Sequence, residues 1–371
     1  MLFVNWQIHA NRLIHNLERI FDWIKYRVGP RINGMGPIMI VPYLGFGSSE
    51  FIELRGRVIE DKGIAPSKDT DHIINNLLNM YKRFESDEIP NARVIARFHG
   101  LEQQVVADEE GCFEVSLRLD QSSAADLGMQ DVEIELLEPK VNQTSAVSAV
   151  GQVLIISPEV EYGVISDIDD TIVYTGVTSR LKMAYTVLLK NAFTRLPLEG
   201  VTGFYHSLQE SSTGNEKNPL FYVSSSPWNI YDLFEDFFEI HDIPSGPMFL
   251  RDWGFKRDTV FTVKNRNYKM EVISKILDSF PGLQFILIGD SGEEDPEIYT
   301  EVIRLYPQRI LAAYIRNVKH DPRRENEIQI LVDKVDNFGS AMILAEDTQE
   351  MAEHAVQHGW IISSAAPQPG E

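Results

Sequence analysis

Val164-Ile165-Ser166-Asp167-Ile168-Asp169-Asp170-Thr171 decides how this chain is read. An apolar run ends in three aspartates within four positions. Crowded carboxylates repel one another and resist ionisation unless a cation or a reaction engages them. In open α/β sheets the carboxyl end of a strand is where ligands bind, so the placement points to chemistry rather than to stability. A second apolar run, Phe285-Ile286-Leu287-Ile288-Gly289-Asp290, enters Ser291-Gly292-Glu293-Glu294-Asp295 in the same manner.

Working outward, short apolar runs at 162–166, 220–223, 285–289 and 310–315 alternate with helix-like stretches at 228–239, 268–280 and 296–305. That alternation predicts α/β architecture, a parallel sheet covered by helices on both faces. Asp347 or Thr348 is placed to cap a last helix carrying Met351, Ala352 and Ala355. Before Pro158 the period is two. Ile52, Leu54, Gly56 and Val58 alternate with charged residues, as do Phe113, Val115, Leu117 and Leu119, and Val132, Ile134 and Leu136. Half-buried strands separated by turns predict an antiparallel β-sandwich. Ile73, Ile74, Leu77, Leu78, Tyr81 and Phe84 interrupt it at helical spacing, with Asp69 or Thr70 as the cap.

At the start of the chain, Trp6, Ala10, Leu13, Leu17, Ile20, Ile24 and Val28 share one helical face. Arginines and lysines outnumber acids there, so this cationic amphipathic helix fits either a membrane interface or a protein surface. Ser363 to Glu371 reads as a disordered tail. The expected division is a helix over 1–31, a sandwich with its helical insertion over 32–157, an α/β domain over 158–362 and a tail over 363–371.

A length of 371 residues accommodates two cores. A formal net charge of −21 argues against nucleic acid as a partner, since phosphate backbones would be repelled over most of the surface. It does not exclude a phosphorylated substrate, because a bound divalent cation sets the local sign. No apolar run is long enough to span a bilayer, and no secretory signal is legible. One cysteine, Cys112, rules out an intrachain disulfide and fits a reducing, cytoplasmic compartment. Peripheral membrane contact through 1–31 stays open beside that.

The motifs divide the chemistry of phosphoryl transfer among themselves. Asp167, first after its strand, is placed to attack phosphorus and form an aspartyl-phosphate. Asp169, two residues on, can protonate the leaving oxygen and later take a proton from water. Asp290 offers a hard oxygen ligand for Mg²⁺, which keeps several waters and needs few protein carboxylates. Asp295 is read as orienting a metal-bound water or a neighbouring lysine. Phe221-Tyr222-Val223 ends at Ser224-Ser225-Ser226-Pro227, where a helix begins and hydroxyls with free N–H groups form an anion site. Ser224 is chosen as the phosphoryl donor, whereas Ser226 ahead of Pro227 reads as a helix N-cap. Lys269 is the candidate cation, in competition with Lys264 and Arg266.

In this order, the four segments resemble the haloacid dehalogenase superfamily. "SDIDDTI", "YVSSSPWNIY" and "FILIGDSGEEDPEIY" are similar to the actin-patch-associated phosphatidate phosphatase catalytic domain family, bacterial members included. "GFYHSL", "YIRNV" and "EDTQEMAEHA" fit the same family, and the resemblance covers about 158 to 362. Weaker similarity runs through "YLGFG", "LRGRV" and "RFESDEIPNARV". The resemblance implies a Rossmann-like catalytic domain that removes phosphate from phosphatidate, a phospholipid, with Mg²⁺. It implies Asp167 as nucleophile and metal ligand. Asp169 would be the general acid/base, its backbone oxygen also on the metal. Ser224 and Lys269 would hold the phosphoryl group, and Asp290 would bind the metal with Asp295 assisting. Tyr268 stands where the family pattern leads one to expect a histidine.

Neither the stretch from Thr171 to Ser224 nor that from Phe238 to Lys269 has room for a large cap domain. A shallow site suits a bulky ester. Two other readings stay open from the residues alone: a phosphatase of a phosphoprotein or small metabolite, and a binding module with a weakly active catalytic domain. The oligomeric state is not legible.

Overall fold

A computed structural model describes residues 37–61, 88–120, 125–140, 146–173, 197–210, 212, 216–251, 265–318 and 320–362. The expected helix over 1–31, the insertion around 73–84, Lys264 and the tail lie outside the described residues.

Two sheets organise the chain. The first holds β1 (Ile38–Pro42), β2 (Gly45–Gly47), β3 (Phe51–Glu60), β4 (Arg93–Phe98), β5 (Leu101–Val106), β6 (Cys112–Arg118), β7 (Gly128–Glu138) and β8 (Ser148–Ile155). Their order is β1-β3-β2-β8-β7-β4-β5, with β6 pairing β3 off that path. The period of two is visible in burial: Phe113, Val115 and Leu117 of β6 point inward while Glu114, Ser116 and Arg118 face water. One pair departs from the antiparallel expectation. β2 runs parallel to β8, with Phe46 opposite Leu154, so the sheet is mixed. The reason is tertiary, because three residues of β2 carry no directional pattern of their own.

The second sheet holds β9 (Gly163–Ser166), β10 (Leu220–Pro227), β11 (Met248–Arg251), β12 (Phe285–Asp290), β13 (Ile310–Arg316) and β14 (Ala341–Ala345). Its order is β11-β10-β9-β12-β13-β14, and every neighbouring pair is parallel. The helices are α1 (Val201–Gln209), α2 (Tyr231–Ile240), α3 (Asn265–Ser279), α4 (Asp295–Leu305), α5 (Pro322–Val335) and α6 (Thr348–Gln357). Successive strand residues feed opposite cores, which is why these strands read as unbroken apolar runs. Val164, Ile286, Ile288 and Tyr314 pack with Phe204, Phe234, Phe237 and Met351 from α1, α2 and α6. Ile165, Phe285, Leu287 and Ile315 pack with Ile273, Ile276, Val302 and Ile328 from α3, α4 and α5. For α6 the cap is Asp347, which accepts from Glu350 N at 2.9 Å.

The chain leaves β9 in one direction through β10 and β11, then in the other through β12, β13 and β14. Connections therefore diverge at β9, the kind of switch point at which open α/β sheets bind ligands at the carboxyl ends of their strands. All three acidic and serine-rich motifs end there.

The two sheets meet through β2 and the residues before it. Tyr43 stacks on Trp228, centroids 4.4 Å apart and planes 18° from parallel, and lies against Tyr231. Leu44 N donates to the Tyr231 hydroxyl at 3.0 Å. Phe46, buried, lies among Phe221, Phe249 and Phe280 of the second sheet's core. Lys275 bridges to Glu53 at 2.7 Å and to Glu114.

Candidate active site

β9 delivers Asp167 to this switch point. Its amide donates to Ile288 O of β12 at 2.8 Å, continuing the ladder one residue past the strand. From the other side of the strand end, Ser166 Oγ donates to Asp167 O at 2.6 Å and lies 2.5 Å from the Tyr205 hydroxyl. The chain then turns tightly. Asp170 has φ +55°, a left-handed value that Asp tolerates better than most residues. Asp170 N donates to Val173 O at 3.0 Å, and Thr171 Oγ1 reaches back to Asp167 Oδ2 at 3.3 Å.

β12 delivers Asp290. Its Oδ1 accepts from Gly292 N at 2.5 Å and Glu293 N at 3.0 Å, which fixes the following loop. Its Oδ2 is buried and accepts no hydrogen bond among the described residues. A buried carboxylate oxygen left this way is costly unless something positive meets it. Asp295, the first residue of α4, accepts from Asp290 N at 3.2 Å through Oδ2 and from Lys269 Nζ at 2.6 Å through Oδ1. Gly289 makes this approach possible. A Cβ there would stand 2.4 Å from Asp295 Oδ2 and 2.8 Å from its Cβ.

From α3, Lys269 reaches the same point, its ammonium 2.8 Å from Asp167 Oδ1 and 3.4 Å from Glu293 Oε2. Lys269 thus meets the carboxylates, whereas its competitors Lys264 and the Arg266 side chain lie outside the described residues. Tyr268 turns away and donates to Leu250 O at 2.5 Å.

Asp167, Asp290 and Asp295 each bring a carboxylate oxygen within 4.8 Å of the others'. All three are buried. Burial raises the Asp167 carboxyl well above the ordinary aspartate range; Lys269 opposes this, and Asp295, Glu293 and Asp290 reinforce it. Burial and then Asp295 raise Asp290 likewise, and burial raises Asp295. Lys269 would be lowered by burial, but Asp167, Asp295 and Glu293 together hold its ammonium well above the usual lysine range. Three buried carboxylates thus face one buried ammonium, an excess of negative charge that a divalent cation would balance. The hard oxygen donors and the partnerless Asp290 Oδ2 fit Mg²⁺.

Asp169 occupies a different position. Its side chain is not in that trio; Oδ2 instead accepts from Ser224 Oγ at 2.8 Å and Ser226 Oγ at 2.9 Å. Ser224, expected to face a phosphoryl group, is turned to this acid. Ser226 is not the expected helix cap: the 3₁₀ turn Trp228–Ile230 begins from Pro227 without a side-chain cap. The serine alternation supplies the signal missed in sequence, since residues two apart on a strand share a face.

Another grouping, His320, Glu325 and Glu346, is largely exposed, and Asn317 Nδ2 donates to both glutamates. No helix among the described residues is long and apolar enough to cross a membrane.

Strand-end aspartates, a buried lysine and paired serines thus converge at a parallel-sheet switch point to make a buried, acidic candidate active site. Residues 162–317 match the family model described as the catalytic domain of phosphatidate phosphatase APP1. The family resemblance read from the sequence therefore holds over that segment. Phosphatidate phosphatase APP1 of Saccharomyces cerevisiae is 33% identical over 179 residues, covering 46% of this chain and 30% of that protein. An uncharacterized protein of Schizosaccharomyces pombe is 30% identical over 160 residues, covering 43% of this chain and 25% of that one. The chain thus spans under a third of the length of these relatives. Among solved structures, a carbohydrate acetylesterase from Xanthomonas citri aligns at 9% identity and TM-score 0.26, covering 80% of this chain and 72% of that one. A PilB minor pilin from Streptococcus sanguinis aligns at 9% and 0.30, covering 73% and 88%. Scores this low carry no argument.

Proposed function

We propose that this protein is a magnesium-dependent phosphatase that works through an aspartyl-phosphate and removes phosphate from phosphatidate, leaving diacylglycerol. The observation that carries the reading is the convergence of Asp167, Asp290 and Asp295 around Lys269, with Asp169 and its serines alongside. The family match over 162–317 supplies the substrate class.

An Asp167 carboxylate oxygen attacks phosphorus in line with the ester oxygen. The P–O bond to the glycerol oxygen breaks, its electron pair stays on that oxygen, and protonated Asp169 supplies the proton that makes the alcohol. Asp169, now a carboxylate, takes a proton from water as the water oxygen attacks the same phosphorus. The bond to Asp167 breaks, inorganic phosphate leaves, and both aspartates return to their starting states. Lys269 holds Asp167 oriented and offers its ammonium to a phosphoryl oxygen. Mg²⁺, held by Asp167 and Asp290 with the Asp169 backbone oxygen, and with Asp295 assisting, would neutralise charge on the phosphoryl oxygens. This is the economy of phosphoryl transfer generally, in which positioning and charge supply most of the rate.

In this reading the domain over 158–362 is haloacid-dehalogenase-like, and the sheet within 32–157 is a sandwich that positions the enzyme on its substrate surface. The setting is cytoplasmic, with residues 1–31 making peripheral contact with the membrane. Phosphate release from phosphatidate vesicles, with and without Mg²⁺, tests the reading. Activity on other phosphoesters but none on phosphatidate would remove the lipid, and inactivity on all would remove the enzyme.

A further inference from the structure

We propose that Ser226 is a positioning residue for Asp169, holding that acid in place while Ser224 gives up the same oxygen to bind the phosphoryl group. The inference rests on the phosphatase reading above and goes beyond it.

A serine hydroxyl has one proton to give. Ser224 Oγ carries a single hydrogen and therefore donates to one acceptor at a time. In the structure that acceptor is Asp169 Oδ2, at 2.8 Å. Donation to a phosphoryl oxygen requires the hydroxyl to turn, and Asp169 then loses a partner. Ser226 Oγ donates to the same Oδ2 at 2.9 Å, so one hydroxyl remains when the other leaves.

Geometry makes the exchange inexpensive for Ser224. Its oxygen accepts from Ser226 N at 2.9 Å, and that bond anchors the oxygen while leaving the O–H free to rotate. Ser226 thus serves twice, through its amide on Ser224 and through its hydroxyl on Asp169. Both serines are fully buried and lie on β10, two residues apart, so they point to one face. The Ser226 hydroxyl keeps its bond to Asp169 throughout, so it holds the carboxylate's rotation while the Ser224 O–H turns. Orientation matters because proton donation to a leaving oxygen demands hydrogen-bond reach at the moment the P–O bond breaks.

The proton concerned is the one that ends on the leaving alcohol, so the prediction is specific to leaving groups that need it. An alkyl phosphate expels a strongly basic oxygen and depends on the acid; an aryl phosphate such as para-nitrophenyl phosphate does not. The test compares wild type, Ser226→Ala, Asp169→Asn and the double variant on phosphatidate vesicles with Mg²⁺, with the first two also assayed on para-nitrophenyl phosphate. Ser226→Ala is expected to lower kcat on phosphatidate roughly tenfold with KM little changed, well within what general acid catalysis contributes. In the Asp169→Asn background the same change should cost nothing further, since no acid remains to position. On the aryl ester, wherever wild type turns it over, the loss in kcat/KM should be small, because that ratio ends at expulsion of the leaving group, before Asp169 acts as base on water.

A full, multiplicative loss in the double variant would overturn the proposal and leave the phosphatase reading standing. Wild type inert on both esters would overturn that reading and the proposal with it. Should Ser226→Ala not fold, Ser226→Thr keeps the hydroxyl and Ser226→Cys weakens it. Kcat falling from the first to the second supports the proposal, and equal kcat overturns it.

Discussion

Lys269 Nζ lies 2.6 Å from Asp295 Oδ1, and both groups are buried. The pair ties α3 to the start of α4 and aims the same ammonium at Asp167, 2.8 Å away. Replacing Lys269 by Met leaves buried carboxylates without their counter-charge. The expected loss is about 3–5 kcal/mol in metal-free protein. Mg²⁺ should restore more stability to the variant than to wild type, because it supplies the missing positive charge. Urea unfolding with and without Mg²⁺ reads both effects; equal restoration would count against a shared cluster.

Asp167→Asn keeps the shape of the side chain but removes the proposed nucleophile. Phosphate release should fall by at least about 10³-fold, as nucleophile removal does in other covalent hydrolases. The fold should survive, because the Asn carbonyl oxygen still accepts from Lys269 and its NH2 can donate to Thr171 Oγ1. Circular dichroism alongside the phosphate assay separates the two.

In metal-free protein the carboxyls of Asp167, Asp290 and Asp295 are raised, chiefly by burial. A raised acid means the folded state holds protons that the unfolded state has released. Stability is therefore lost as pH climbs from the ordinary aspartate value, about 4, through the raised folded values. The metal-free melting temperature should rise as neutral solution is acidified toward about pH 5. Stabilisation by Mg²⁺ should be largest at neutral pH and fade on acidification, since protons and metal compete for the same oxygens. Melting curves at several pH values, with and without Mg²⁺, would contradict this if that gain were constant.

Gly289→Ala introduces a Cβ 2.4 Å from Asp295 Oδ2, closer than packed atoms permit. Asp295 must move, weakening its grip on Asp290 N and Lys269. Magnesium affinity should drop roughly tenfold to a hundredfold, the range seen when supporting partners of metal ligands are disturbed. Calorimetric titration of Mg²⁺ measures it directly.

Phe46 belongs to the first sheet by hydrogen bonding and to the second by packing. Phe46→Ala should cost about 3–5 kcal/mol. If the two sheets unfold as one unit, a single transition shifts; if they are separable, the variant shows two. Calorimetry distinguishes these outcomes.

Much of the parallel sheet was legible because strands buried on both faces must be apolar throughout. The runs at 162–166, 220–223, 285–289 and 310–315 all became strands. β11 and β14 escaped notice because both lie at the sheet's edges, where pairing partners decide. The parallel β2–β8 pair escaped for a related reason: strand direction is a property of the pairing, which no single strand encodes.

The site divides along the same line. Asp167, Asp169 and Asp290 are conspicuous because charge at the end of an apolar strand is improbable without a use. Lys269 stood among three candidate cations until α3 placed its ammonium beside Asp167. Ser226 looked like a helix cap until Asp169 proved to share its face.

What the amino-acid order determined by itself was local: most of the parallel strands, which two of them run into aspartates, and that those endings are candidates for a reaction site. Only tertiary structure decided which side chains meet, because Asp167, Lys269 and Asp290 come from elements far apart in sequence. Their approach depends on the strand order β10-β9-β12, on a glycine that admits Asp295, and on helix packing that buries an ammonium. Distances between such groups are set by the packing of whole cores, and that information resides in no single stretch of chain.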